Sequence, residues 1–310
     1  MWLVLLLALT AAGPEAADPA GLRALIAEDV RVARIGDRLA RAGPCTATLS
    51  SPGLIVQDIV QYAPDLRAPA RAALGLGDLP TIVAVLDGSA AAVAGLRPGD
   101  MLVAIDGAAV PPADKARGFD RMAGVEAQIE AALARGTLNL GLIRDGAALT
   151  VRIGATPGCR TRFQLQPGGR LNASADGVYV QVSGALAEFA ATDDELALII
   201  AHELAHNLLG HKARLDAAGV SRGLFAGLGK GASRVRATEE EADRWALYLM
   251  ARAGFDIAAA PAFWERFGRR ADPGIFSDGT HDGWRTRVAK AEAEIARIRA
   301  LQAAGAPILP

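Results

Sequence analysis

Two histidines four residues apart inside an otherwise aliphatic run, LIIAHELAHNLLGH from Leu198 to His211, restrict this chain more than any other feature in it. Thr192, followed three residues on by Glu195, reads as a capping box that starts a helix, and the run LALII behind it would bury that helix on most sides. On such a helix His202 and His206 lie one turn apart on one face, with Glu203 beside them. A core helix has no other use for an ionised Glu203, because burying an unpaired carboxylate is costly. Two imidazoles at this spacing can share one Zn2+, and the adjacent carboxylate can reach a water on that ion without ligating it. The expectation is one zinc per chain, with His202 and His206 as ligands and Glu203 as general base. Histidine is otherwise scarce: three of the chain's 4 fall in this stretch.

A catalytic zinc takes three protein ligands and leaves a position open. The spacing HExxHxxGxxH fails here, since Leu209 holds the glycine position and Lys212 the histidine position, with His211 out of register. The next candidate is ATEEEADRWALYLMARAG, a helix expected to open at a second capping box, Thr238 with Glu241, and to stop near Gly254. Its inward stripe would be Ala242, Trp245, Ala246, Leu249 and Met250. At about 100° per residue, Glu239 lies nearer that stripe than Glu240 or Glu241, and Asp243 falls one turn further on. Three glutamates at a helix start also complement the macrodipole. Beside HELAH the expectation is Glu239 as third ligand, with Asp243 orienting a ligand histidine.

The chain starts MWLVLLLALTAAGPEAADPAG, an apolar run that gives way to small residues, as in a secretory signal peptide or, uncleaved, an N-terminal anchor. Export to the periplasm or cell envelope is expected. No later segment holds the roughly 18 apolar residues that a membrane span needs, so the rest should be soluble, with peripheral membrane association left open. A balance of 33 Lys+Arg against 34 Asp+Glu gives a net charge of -1 and no reason to expect a nucleic-acid partner. The two cysteines, Cys45 and Cys159, form no CxxC pair, and in an exported chain they are expected to form a disulfide.

Between the cysteines lie LPTIVAVLDGSAAAVAGLRPGDMLVAIDGAAV, then GFDRMAGVEAQIEAALARG, then TLNLGLIRDGAALTVRIG: short β runs, Gly-Asp turns and one amphipathic helix. The series SAAAVAGLRPGDMLVAIDG, with an LGLG loop ahead of it, resembles the PDZ domains of bacterial exported proteases over about Leu54 to Thr156. That resemblance implies a peptide added as an extra strand, its terminal carboxylate held by loop amides. Gly75, Leu76 and Gly77 would form the loop, and the strand near Thr81 to Val83 and the helix near Val125 to Leu133 would line the groove.

HELAHNLLGH, EEEAD and THDGWRTRV together resemble the metallopeptidases of family M-forty-eight, gluzincins that include CAAX prenyl endopeptidases and bacterial envelope quality-control proteases. NASADGVYVQVSGAL, at 172–186, is similar to the strand segment those enzymes carry before the zinc helix. The resemblance implies zinc ligands His202, His206 and Glu239, general base Glu203 and supporting carboxylate Asp243. It also implies a role at the oxyanion or the open metal position for His281, with Arg287 in the same segment, and a substrate-facing edge strand bearing Tyr179 and Gln181. Asp282 stands where the family often has proline, and an ordinary surface position for His281 stays open. The glycine-rich SRGLFAGLGKGASRVR lacks the Ser/Thr of a phosphate loop, Gly231 standing there instead, and is expected to be a flap or linker.

The expected architecture is α+β: a mainly helical zincin-type metallopeptidase domain with a short edge strand, interrupted by a β-rich PDZ-like domain. Residues 1–17 would be the leader, 18–48 the N-terminal helical part of the peptidase domain, 49–157 the PDZ-like domain and 158–310 the zinc metallopeptidase domain. The expected function is an exported zinc endopeptidase acting on extended or misfolded polypeptides in envelope quality control. Its PDZ domain would bind exposed C-termini or extended segments, or regulate the site. The alternatives are a PDZ-type peptide-binding adaptor with a non-catalytic peptidase-like domain, and a zinc hydrolase acting on something other than peptides.

Overall fold

A computed structural model describes residues 18–45, 47–113, 119–220, 229–270 and 283–310. The expected leader, His281 and Asp282 lie outside the described residues. Among the described residues no helix is long and apolar enough to cross a membrane. The fold is α+β, and the described residues separate into two compact units, one holding residues 18–34 with Thr48–Gly158, the other Ile35–Ala47 with Cys159–Pro310.

The first element, α1 (Pro19–Ala42), contributes to both units. Leu22, near its start, packs with Ile59, Tyr62, Leu66, Ala70 and Leu76 of the first unit, whereas Ile35 and Leu39 are fully buried in the second. Residues 18–34 therefore belong with the β-rich unit, not with the peptidase part to which the sequence assigned them. The apolar spacing of α1 shows that it packs, but not against what. In the second unit Gly36 lies under Phe163, where a Cβ would stand 2.1 Å from the ring.

The first unit continues with β1 (Thr48–Ser50), β2 (Leu54–Gln57), α2 (Arg67–Leu74), β3 (Thr81–Val85), α3 (Ala90–Val93), β4 (Met101–Ile105), β5 (Ala108–Ala109), α4 (Asp120–Ala134), β6 (Thr137–Arg144), β7 (Ala147–Gly154) and β8 (Pro157–Cys159). One sheet runs β2-β3-β4-β6-β7, with β5 added on β4, and β1 pairs with β8. Strand alternation does what the sequence asks of it: Leu138, Leu140 and Leu142 of β6 point inward onto Ile82, Leu102 and Met122. The β6–β7 hairpin turns on Asp145-Gly146, both at positive φ (50° and 80°), as a two-residue I′ turn requires.

Three expectations for this unit are corrected. The strand at Thr81–Val85 is not an edge, because β2 pairs with it on one side and β4 on the other; the end strands of the sheet are β2 and β7. Val125, Ile129 and Leu133 of α4 turn their side chains into the core. Gly75 is the left-handed C-cap of α2, at φ 67°, and its N–H is spent on the Arg71 carbonyl, while Leu76 is buried in the small cluster. RAPARAAL followed by glycine was a helix-stop signal, and the loop reading overlooked it. A fully buried ion pair, Arg121 with both oxygens of Asp58 at 2.5 Å, ties the start of α4 to the end of β2.

The second unit holds β9 (Arg162–Gln166), β10 (Ala173–Ala175), β11 (Tyr179–Ser183), α5 (Gly184–Phe189), α6 (Asp193–Leu208), α7 (His211–Ala217), α8 (Gly229–Arg252), α9 (Ala259–Arg270) and α10 (Trp284–Ala303). Its sheet runs β10-β11-β9, so β11, with Tyr179 and Gln181, is the central strand, parallel to β9 and antiparallel to β10. The expectation of an edge strand at Tyr179 and Gln181 is thereby corrected: the end strands are β10 and β9. Helix α8 begins at Gly229, well before Thr238, so 229–236 are helical and not a flap; 221–228 lie outside the described residues. The Thr238 hydroxyl donates to the Val235 carbonyl, 2.7 Å away, and caps nothing.

Cys45 and Cys159 are bridged, with Cα atoms 5.3 Å apart and a sequence separation of 114. Replacing both by serine is expected to lower stability by about 2–4 kcal/mol through the entropy regained by the unfolded chain. Urea unfolding of oxidised wild type against the double variant measures it, and equal midpoints would contradict it.

Candidate metal centre

Helix α6 starts as its sequence directs, with the Thr192 hydroxyl accepting from the Glu195 amide at 3.2 Å. The Glu195 carboxylate also takes the Ala191 amide and the Arg266 guanidinium. Leu196, Ile200 and Leu204 are fully buried and fix the rotation of the helix. The face carrying His202, Glu203 and His206 therefore meets α8, where Ala242, Ala246, Leu249 and Met250 are equally buried. That stripe brings Glu239 and Asp243 to the histidines.

The three candidate donors form a small triangle. His202 Nε2 lies 3.1 Å from His206 Nε2 and 3.2 Å from Glu239 Oε2, and His206 Nε2 lies 3.5 Å from that oxygen. A tetrahedral ion with bonds of roughly 2.0–2.1 Å places its ligand atoms about 3.3 Å apart. The proton inventory leads the same way. The Asp243 carboxylate, 2.9 Å from His202 Nδ1, can only accept, so Nδ1 carries the hydrogen and Nε2 turns a lone pair toward the Glu239 carboxylate. Two acceptors face to face need a cation between them. In the metal-free chain that cation is a proton: burial opposes the imidazolium, but the hydrogen bonds to Asp243 and Glu239 prevail and raise His202 to about 10. Two imidazoles and one carboxylate are a donor set suited to zinc.

Asp243 is itself held. Arg287 Nε reaches its Oδ2 at 2.8 Å, Nη2 bonds its Oδ1, and the guanidinium lies 3.4 Å over the Trp264 ring. Burial would raise the Asp243 carboxyl, but Arg287 and His202 hold it well below the usual range. Arg287 was expected at the oxyanion; its Nε and Nη2 are engaged on Asp243, and it supports His202 through that carboxylate.

Sequence reasoning missed residues around His206. On an unbroken helix His211, five positions on, would stand about 140° away around the axis. Gly210, at φ 62°, ends α6 and re-aims the chain so that His211 Nδ1 comes within 2.9 Å of His206 Nδ1. Burial, and then the neighbouring His206, lower His211 to about 4. Glu241 sits 3.1 Å from His211 Nε2 and pairs with Arg214 at 2.9 Å. The one available signal was the glycine between LL and H, which marks a helix end and therefore a change of face.

Asn207 connects α6 to the sheet. Its amide nitrogen donates to the Tyr179 carbonyl at 3.2 Å, and its oxygen accepts from the Gly177 amide at 2.7 Å. The cleft over the triangle is consequently bordered by β10, through Ala173 and Ala175, with Glu203 in its wall. Beside Glu203 opens a small apolar pocket formed by Leu186, Ile199, Phe263, Trp264 and Phe267.

Residues 81–118 match the family model described as PDZ domain, and residues 160–235 match Peptidase family M48. The second match takes in α6 and ends before Glu239, Asp243 and Arg287. No curated protein matches the chain.

Proposed function

From a chain that is a metallopeptidase of family M48 with a PDZ domain, we infer an exported zinc endopeptidase that cuts extended or misfolded polypeptides in envelope quality control. One observation carries this reading: three convergent donors 3.1–3.5 Å apart, with Glu203 in the wall of the same cleft. A zinc ion held there supplies Lewis-acid chemistry, making water nucleophilic near neutral pH and polarising a carbonyl. Glu203 takes the proton that the attacking water loses and returns it to the leaving amide nitrogen as the C–N bond breaks. Asp243, braced by Arg287, keeps His202 in the tautomer that presents Nε2. The position of β10 as an end strand among the described residues supports an extended backbone alongside the cleft, and the apolar pocket beside Glu203 supports an apolar side chain next to the scissile bond. In the PDZ unit the terminal strand β2 is the edge that an added peptide would pair with. Export is supported by the apolar N-terminal run and by the disulfide, which belongs in an oxidising compartment.

The test is metal content together with cleavage of unfolded casein before chelation, after it, and after zinc is restored. One zinc per chain is expected, with cleavage lost on chelation and regained on reloading. Undiminished cleavage by the stripped protein would overturn the metal mechanism. Stoichiometric zinc without cleavage of any unfolded protein would favour an adaptor.

A further inference from the structure

We propose that His211 and Glu241 form a relay that sets the tautomer of His206, so that His206 presents its Nε2 lone pair to the metal. The inference rests on the metal-centre reading and concerns residues that the reading leaves unused. It follows from where hydrogens can lie. The Glu241 carboxylate only accepts, so His211 Nε2, 3.1 Å away, carries a hydrogen. In the neutral ring His211 Nδ1 is then an acceptor, and the contact of 2.9 Å to His206 Nδ1 requires the hydrogen to be on His206. His206 Nε2 is left with a lone pair, 3.1 Å from His202 Nε2 and 3.5 Å from Glu239 Oε2, at the corner of the donor triangle. Arg214 on Glu241 keeps the far end of the relay anionic, as Arg287 on Asp243 does for His202.

The two ligand histidines are thus pinned by parallel devices: Arg287–Asp243 acts on His202 directly, and Arg214–Glu241 acts on His206 through one interposed imidazole. The geometry demands the interposed ring. Glu241 lies two residues past Glu239 on α8, about 200° around the axis, and cannot share its face. His211 spans the gap because Gly210 turns the chain there, and its ring is buried, 1% exposed, leaving no water to take its place on His206. A histidine that merely filled the core would not need both ring nitrogens aimed at polar partners. His211 is a positioning residue in this account.

The experiment measures zinc affinity by competition with a chromophoric chelator, and the Nδ1 proton of His206 by nitrogen-15 NMR of the zinc-loaded full chain. His211→Asn places a carbonyl oxygen near the lost Nδ1, His211→Leu offers shape without an acceptor, and Glu241→Ala, on a half-exposed side chain, removes the anchor with little risk to folding. Zinc affinity is expected to fall about 10–100-fold in His211→Leu, to fall less in Glu241→Ala, and to stay within about threefold of wild type in His211→Asn. The protected Nδ1 proton of His206 should persist in wild type and His211→Asn and vanish in His211→Leu. Equal affinity of His211→Leu and wild type, or a loss in His211→Asn as large as in His211→Leu, overturns the relay. A wild type that binds no zinc is a different result, and it removes the metal-centre reading itself.

Discussion

Glu203→Gln is expected to bind one zinc as tightly as wild type and to cleave unfolded casein on the order of 10³-fold more slowly, within the range of about 10²–10⁴ for loss of a general base. Glutamine keeps the shape and hydrogen-bonding reach of the residue but has no basic oxygen to take the proton from the attacking water. Glu203 lies outside the donor triangle, so metal stoichiometry should not change. Stability should hold as well: the side chain is only 8% exposed, and a neutral amide is less costly to bury there than a carboxylate. The loss belongs in kcat, since Glu203 takes and returns the proton only in the chemical steps. Equal rates for variant and wild type would remove Glu203 from the mechanism.

Glu239→Ala is expected to weaken zinc binding by about 10²–10³-fold, whereas Glu240→Ala leaves it unchanged. Structural zinc sites with four protein ligands bind with about 10–16 kcal/mol, so one ligand is worth roughly 3–4 kcal/mol. Glu239 Oε2 is the only oxygen in the triangle of donors. Glu240, its neighbour, is exposed and pairs with Lys290 at 3.0 Å, where both side chains are about half in water. A pair like that contributes at most about 1 kcal/mol and has no bearing on the metal. Chelator competition on both variants decides the matter, and zinc loss in Glu240→Ala alone would mean that the register of α8 is wrong.

What could be read from the sequence was whatever obeys a period. His202 and His206 at four apart, and the stripe Ala242, Trp245, Ala246, Leu249 and Met250, of which only Trp245 stays partly exposed, are helical spacings, and they put Glu239 and Asp243 on the inner side of α8 without any structure. Local signals were ambiguous wherever two elements could claim them. Thr238 with Glu241 has the form of a helix start but lies inside α8, because GASRVRA before it carries helix-compatible residues that extend the helix upstream. The glycines around Leu76 have the form of a binding loop, but the first of them, Gly75, caps α2. Pairing partners were not legible at all: whether Thr81–Val85 or Tyr179–Ser183 is an edge depends on segments distant in sequence, and alternation within a strand carries no trace of them. His211 escaped for a related reason, since a single left-handed glycine changed which face it shares with His206.

The Cys45–Cys159 bridge has a consequence for the covalent graph of the molecule. Backbone and disulfide together close a ring that contains nearly all of the β-rich unit, with α1 entering it at one point and the helices of the metal centre leaving at the other. A single nick anywhere in that ring cuts no path between the two arms. The nicked chain still migrates as one species without reductant and separates into two fragments only when the bridge is reduced. New termini can accordingly be opened inside the ring while α1 and α6 stay joined by a continuous string of bonds, something that no linear arrangement of two domains allows.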